Sequence, residues 1–158
     1  MSFLKNLLIL GCVFSACAKP PEHVKITQDS IKSFSKNLEK TTSLKTIGSG
    51  GFYFGKTVEG FYIDFESKEI ENESDAERLL RTVVDSMISH LNKDEKIKLL
   101  IRDSRVTASQ ISLSIGFLES NRKPSKKIAQ VHLDHGYIHY SIFINDKNEY
   151  ACYKKVLY

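Results

Sequence analysis

"SDAERLLRTVVDSMISHLN", residues 74–92, decides the fold class. Ala76, Leu79, Leu80, Val83, Val84, Met87, Ile88 and Leu91 recur three and four positions apart, which lines them along one side of a helix of about four turns. Glu77 and Arg81 pair at i, i+4 on the wet side. Ser74 and Glu77 have the spacing of a capping box, in which the serine oxygen accepts from the glutamate amide and the glutamate reaches back to the serine amide. The spacing therefore predicts a helix over 75–91. Its apolar stripe has to be covered, and in one small domain a sheet covers it.

The flanking segments supply that sheet. Upstream, Phe61, Ile63 and Phe65 alternate with Tyr62, Asp64 and Glu66, the period of a half-buried strand. Residues 52–56 precede it across a turn around Val58-Glu59-Gly60, so the two read as a hairpin. Downstream, Ile111, Leu113, Ile115 and Phe117 alternate with Ser112, Ser114 and Gly116. Three further strands follow over 128–134, 137–145 and 150–157, separated by His135-Gly136 and by Asp146-Lys147-Asn148. An earlier helix is predicted over 27–46, capped by Thr27 or Asp29, with Ile31, Phe34 and Leu38 as its stripe and Gly48 as its stop. Ser49-Gly50-Gly51 reads as the turn after it, and 93–101 as one or two more helical turns. This order predicts a two-layer α+β domain: a twisted antiparallel sheet of about five to six strands, packed by two main helices on one face.

The N-terminus indicates location. Lys5 precedes a short apolar core, Leu7 to Phe14, and Ser15-Ala16 are small residues before Cys17, the layout of a secretory signal. Crossing a bilayer takes roughly 20 apolar residues, and Lys5 and Lys19-Pro20-Pro21 confine this run to fewer. Phe14-Ser15-Ala16-Cys17 resembles the lipobox of bacterial lipoproteins, although Phe14 stands where leucine is usual. A match at Leu10-Gly11-Cys12 would leave too short a core. Residues 1–16 are therefore expected to be a signal peptide, 17–26 a lipidated Cys17 with an extended tether, and 27–158 the single domain. Cleavage near Ala18 without lipidation is the alternative. An acylated Cys17 places the protein in the bacterial cell envelope, membrane-anchored and facing the periplasm or the exterior, with the membrane as its first partner.

Composition narrows the rest. Removal of the first 16 of 158 residues leaves 142, enough for one core. The formal net charge is +4, and no basic stripe with interleaved aromatics is present, so nucleic acid is not an expected partner. The acidic residues from Glu59 to Glu77 match no calcium loop and read as a solvated face. Asn121 to Lys127 form a basic connection that also suits anionic headgroups. With Cys17 acylated and Cys12 removed, Cys152 is the sole thiol, and one cysteine makes no intrachain disulfide. It reads as a small strand residue.

"HLDHGYIHY", residues 132–140, holds three of the five histidines. With His135-Gly136 as a two-residue hairpin turn, His132 faces His139 across the strands, with Cβ atoms about 5 Å apart. Asp134 is then a third potential zinc or copper ligand. No fourth ligand or supporting shell is evident, so a polar cross-strand pair is the simpler reading and no cofactor is assigned. No Gly-x-Ser-x-Gly elbow or CxxC pair occurs, and no catalytic residue is assigned.

"GFYIDFES", "DAERLLRTVVDSMISHLN", "VTASQISLSIGFLE" and "IAQVHLDHGYIHYSIF" together resemble a group of small uncharacterised putative lipoproteins of chlamydia-like bacteria, over roughly residues 51–158. The resemblance implies a bacterial lipoprotein and carries over no activity. The expectation is thus a membrane-tethered envelope protein whose domain binds a protein partner or small ligand without covalent chemistry. Two alternatives remain open: an envelope hydrolase or metal-dependent enzyme using His132, Asp134 and His139 in a sheet concavity, and a secreted effector.

Overall fold

A computed structural model describes residues 19–68, 70, 72–144 and 147–158. The expected signal peptide, Cys17, and Asn145-Asp146 lie outside the described residues. Helix α1 (Glu22–Thr41) leads into a hairpin of β1 (Lys45–Phe54) and β2 (Thr57–Lys68). Helix α2 (Glu73–Lys93) and the single turn α3 (Glu95–Lys98) then carry the chain to β3 (Ile111–Leu118). Strands β4 (Gln130–Asp134), β5 (Tyr137–Ile144) and β6 (Glu149–Leu157) complete a meander. The sheet is open and ordered β1-β2-β3-β4-β5-β6, with β1 and β6 as its edges.

The sheet is mixed, not wholly antiparallel as the strand order suggested: β2 and β3 run parallel. The reason is α2. Parallel neighbours need a crossover that returns the chain to its starting end, and a helix is the usual one. All other neighbours are antiparallel.

Ala76, Leu80, Val83, Val84, Met87 and Leu91 of α2 are buried. They join Ile31 and Phe34 of α1 and the inward side chains of β2 to β5 in one core that includes Phe61, Ile63, Phe65, Leu113 and Tyr140. The cap of α2 differs from the expected box. Asn72 is the N-cap, its side-chain oxygen accepting from the Asp75 amide at 2.9 Å, and Ser74 lies inside the first turn. Glu77 is engaged elsewhere: it pairs with Arg81 at 2.8 Å and accepts from the hydroxyl of Tyr140.

Helix α1 is displaced from its expected bounds of 27–46, and the expected tether through Ile26 is helical from Glu22. Pro21 stands at the N-cap with φ −52°, a geometry its ring imposes. Ile26 packs against the core. At the other end the Thr42 amide and hydroxyl both donate to the Leu38 carbonyl, at 2.9 and 2.8 Å, and the Thr46 amide donates to Glu39 Oε1 at 2.7 Å. The helix thus stops before Gly48, and Gly48 to Gly51, read as a stop and turn, belong to β1. Packing explains the glycines there. A Cβ on Gly50 would lie 2.5 Å from the Tyr62 ring, and one on Gly51 2.7 Å from the Tyr53 hydroxyl, the close approach that glycine in a strand permits.

A seam of tyrosines ties the sheet to α2. Tyr140 donates to Glu77, Tyr153 and Lys154 both donate to Glu73, and Tyr158 donates to Asp85. Burial and the Glu77 carboxylate push the Tyr140 phenol well above its ordinary value, so it remains the donor. Glu73, Glu77, Asp85, Tyr153 and Lys154 line an open groove of about 1060 Å³ between α2 and β6. The groove's carboxylates are spent on holding the two layers together, which makes it a structural seam. No helix among the described residues is long and apolar enough to cross a membrane.

Candidate functional site on the open face of the sheet

The helices and the core occupy one side of the sheet. On the other, Asp64, Ser112, Ser114, Gln130, His132 and His139 project as half-buried polar groups among the aromatic side chains of Phe52, Tyr62, Tyr137 and Phe143. Strand register sorts them into lines across the sheet. Gly48, Asp64, Ser114, His132, His139 and Lys155 are successive cross-strand partners from β1 to β6. The adjacent line runs Lys45, Glu66, Gly116, Gln130, Ser141 and Cys152. Gln130 links the two by donating to Ser114 Oγ at 2.6 Å. Burial raises the Asp64 carboxyl above its ordinary value.

The hairpin expected at His135-Gly136 forms, with both residues at positive φ, 48° and 78°, the demand of a type I′ turn. It sets His132 opposite His139. Their rings stack with centroids 4.6 Å apart and planes 8° from parallel. His132 Nδ1 is buried and has no hydrogen-bond partner among the described residues. Burial lowers the His132 pKa, the neighbouring His139 lowers it further, and Asp134 opposes both.

Asp134 does not join the pair. It contacts His135 Nδ1 at 2.9 Å, within its own turn. The residue that does approach is Cys152, whose Sγ lies 3.7 Å from His139 Nδ1; its thiol also donates to the Lys154 carbonyl at 3.3 Å. A bulge causes this. Register shifts between Tyr140 and Ser141, so Tyr153 and Lys154 both oppose Tyr140, and Cys152 pairs with Ser141 on the face of His139. Without the extra residue Cys152 would face the helices. Sequence reading treated Cys152 as an isolated strand residue because such a bulge leaves no local signal. Among the described residues no three His, Cys, Asp or Glu side chains stand ready as a metal cage.

The other two histidines serve the fold. His90 Nε2 lies 3.1 Å from the Ser30 carbonyl between α1 and α2, and His23 meets Tyr53 edge-on. Two hollows flank the open face. One of about 310 Å³ is bordered by Phe52, Ser112, Asp134 and His135. The other, about 750 Å³, lies at the opposite end beside Lys45, Glu66, Leu118 and Arg122. The basic connection at 121–127 is tied to the sheet there, Arg122 reaching Glu66 at 3.5 Å.

These features define an open, two-layer α+β domain with helices on one face and a histidine-bearing surface of mixed polar and aromatic side chains on the other. No family model, no curated protein and no solved structure matches the chain.

Proposed function

We propose that the protein is a bacterial cell-envelope lipoprotein, anchored through an acylated Cys17, whose domain binds a partner or small ligand on the open face of its sheet without covalent chemistry. The observation that carries the binding part is the uncovered face of the sheet. It spans six strands, has no helical cover among the described residues, and is flanked by two hollows. A sheet packed only for stability needs nothing on that face beyond solubility, whereas this one bears a stacked histidine pair with a buried, unsatisfied nitrogen.

Support for the anchor comes from Phe14-Ser15-Ala16-Cys17 and from the likeness to putative lipoproteins of chlamydia-like bacteria. With α1 starting at Glu22, the spacer between anchor and domain is only 18–21. At about 3.1 Å per extended residue it reaches roughly 12 Å, so the domain is held against its own membrane.

Labelling with a fatty-acid analogue tests the anchor. Label should appear on the expressed protein, with a mature mass beginning at Cys17, and should vanish in Cys17→Ala. Unlabelled protein refutes the anchor and favours a secreted effector. For the face, a photo-reactive residue at Ser112 should crosslink in cells far more than one at Ser86 on the exposed side of α2; equal yields refute the assignment of the binding face.

A further inference from the structure

We infer that His139, Cys152 and His132 form a binding site for one thiophilic divalent cation of the zinc class on the open face. Two of the three donors already stand at ligand spacing. In a tetrahedral site with Zn–S of about 2.3 Å and Zn–N of about 2.0–2.1 Å, sulfur and nitrogen lie roughly 3.5 Å apart; Cys152 Sγ and His139 Nδ1 are 3.7 Å apart. The third donor is adjacent but stacked, its ring 4.6 Å from that of His139. For His132 to ligate, its ring has to leave the stack and turn towards the metal, and its orphaned Nδ1 marks a group that gains a partner by doing so. With His132 in the stack, no group of three His, Cys, Asp or Glu is assembled as a cage among the described residues.

The chemistry of the set selects the ion. One thiolate and two imidazoles suit zinc and its neighbours, and exclude calcium and magnesium, which take oxygen ligands. Binding converts the Cys152 thiol to thiolate, its proton passing to solvent and its bond to the Lys154 carbonyl giving way to the metal bond. Lys155, the cross-strand neighbour of His139, lays its ammonium over the Tyr137 ring at 3.9 Å. Asp134 is held by His135 and is not a ligand. Three protein ligands on an exposed face leave the fourth position to water or to a donor from whatever docks there.

The site rests on the binding-face reading for its location and is independent of the anchor. The test uses the full chain in detergent with Cys12 and Cys17 changed to Ser, so that Cys152 is its only thiol. Co²⁺ is titrated in as a spectroscopic substitute and then displaced with Zn²⁺. The expected result is a thiolate-to-cobalt charge-transfer band saturating at one metal per chain. Cys152→Ser should abolish it, and His139→Gln and His132→Gln should each weaken affinity at least about tenfold, the scale of losing a ligand or its support. Asp134→Asn should leave it unchanged, and metal-free urea midpoints verify that each variant is folded. No band, or a band indifferent to both histidine variants, overturns the inference, the second outcome meaning a thiol that binds metal alone. Failure here with Ser112 crosslinking retained removes the metal and leaves the binding face standing.

Discussion

Replacing Tyr140 by Phe tests the idea that the tyrosine seam holds α2 to the sheet. The ring is fully buried, so Tyr140→Phe keeps the packing and deletes one hydrogen bond, that to Glu77. Hydrogen bonds to a charged acceptor contribute about 1.5–3 kcal/mol. The Glu77 side chain is 30% exposed and keeps Arg81 at 2.8 Å, so water and the guanidinium compensate in part. The lower end applies: a loss of about 1.5 kcal/mol, or roughly 4–6 °C in Tm for a domain of this size. The Tyr140 bond is also the largest cause holding the Glu77 carboxyl below its ordinary value of 4.5. A carboxylate lowered in the folded state contributes stability above that value and loses it as the pH falls through the lower folded one. The deficit should therefore be full at neutral pH and shrink as the pH falls below 4.5. Urea unfolding of the parent, Tyr140→Phe, Glu77→Gln and the double variant, with m unchanged, measures it. A deficit below about 0.5 kcal/mol at pH 7, or one that grows on acidification, refutes the reasoning.

Two further outcomes are expected. Asn72→Ala should cost about 1 kcal/mol of stability, as loss of an N-cap does, while Ser74→Ala, exposed in the first turn, should be near neutral; the reverse order in urea midpoints would restore Ser74 as the cap. Burial and His139 depress the His132 pKa from 6.5, so the unfolded chain takes up that proton first, and folding stability should decline as the pH drops through about 6.5 towards the lower folded value. His132→Gln should flatten that decline between pH 7 and 5, and an unchanged slope would mean that the stacked pair does not titrate with folding.

What the sequence by itself determined lies where local geometry suffices. The three-four spacing in α2 selects a buried stripe, the alternation from Ile111 to Phe117 selects a core-facing strand, and two residues at positive φ in the His135-Gly136 turn set the register that stacks His132 on His139. A two-residue turn leaves its strands no freedom to slip, so this half of the candidate site was readable in advance.

The tertiary structure decided the rest, because the deciding partners are distant in the chain. Glu77 was free to close a capping box until Tyr140, 63 residues away, engaged it, and the cap passed to Asn72. Gly48 to Gly51 have turn composition, yet they pair with Asp64 to Phe61 of β2 as a strand, and the Tyr62 and Tyr53 rings occupy the space beside Gly50 and Gly51. The parallel run of β3 beside β2 follows from a helix folding back over the sheet, a choice that strand periodicity does not encode. Cys152 reaches His139 only because one extra residue in β6 turns its side chain to the open face. A bulge depends on how two whole strands settle against α2, and that is a property of the packed molecule.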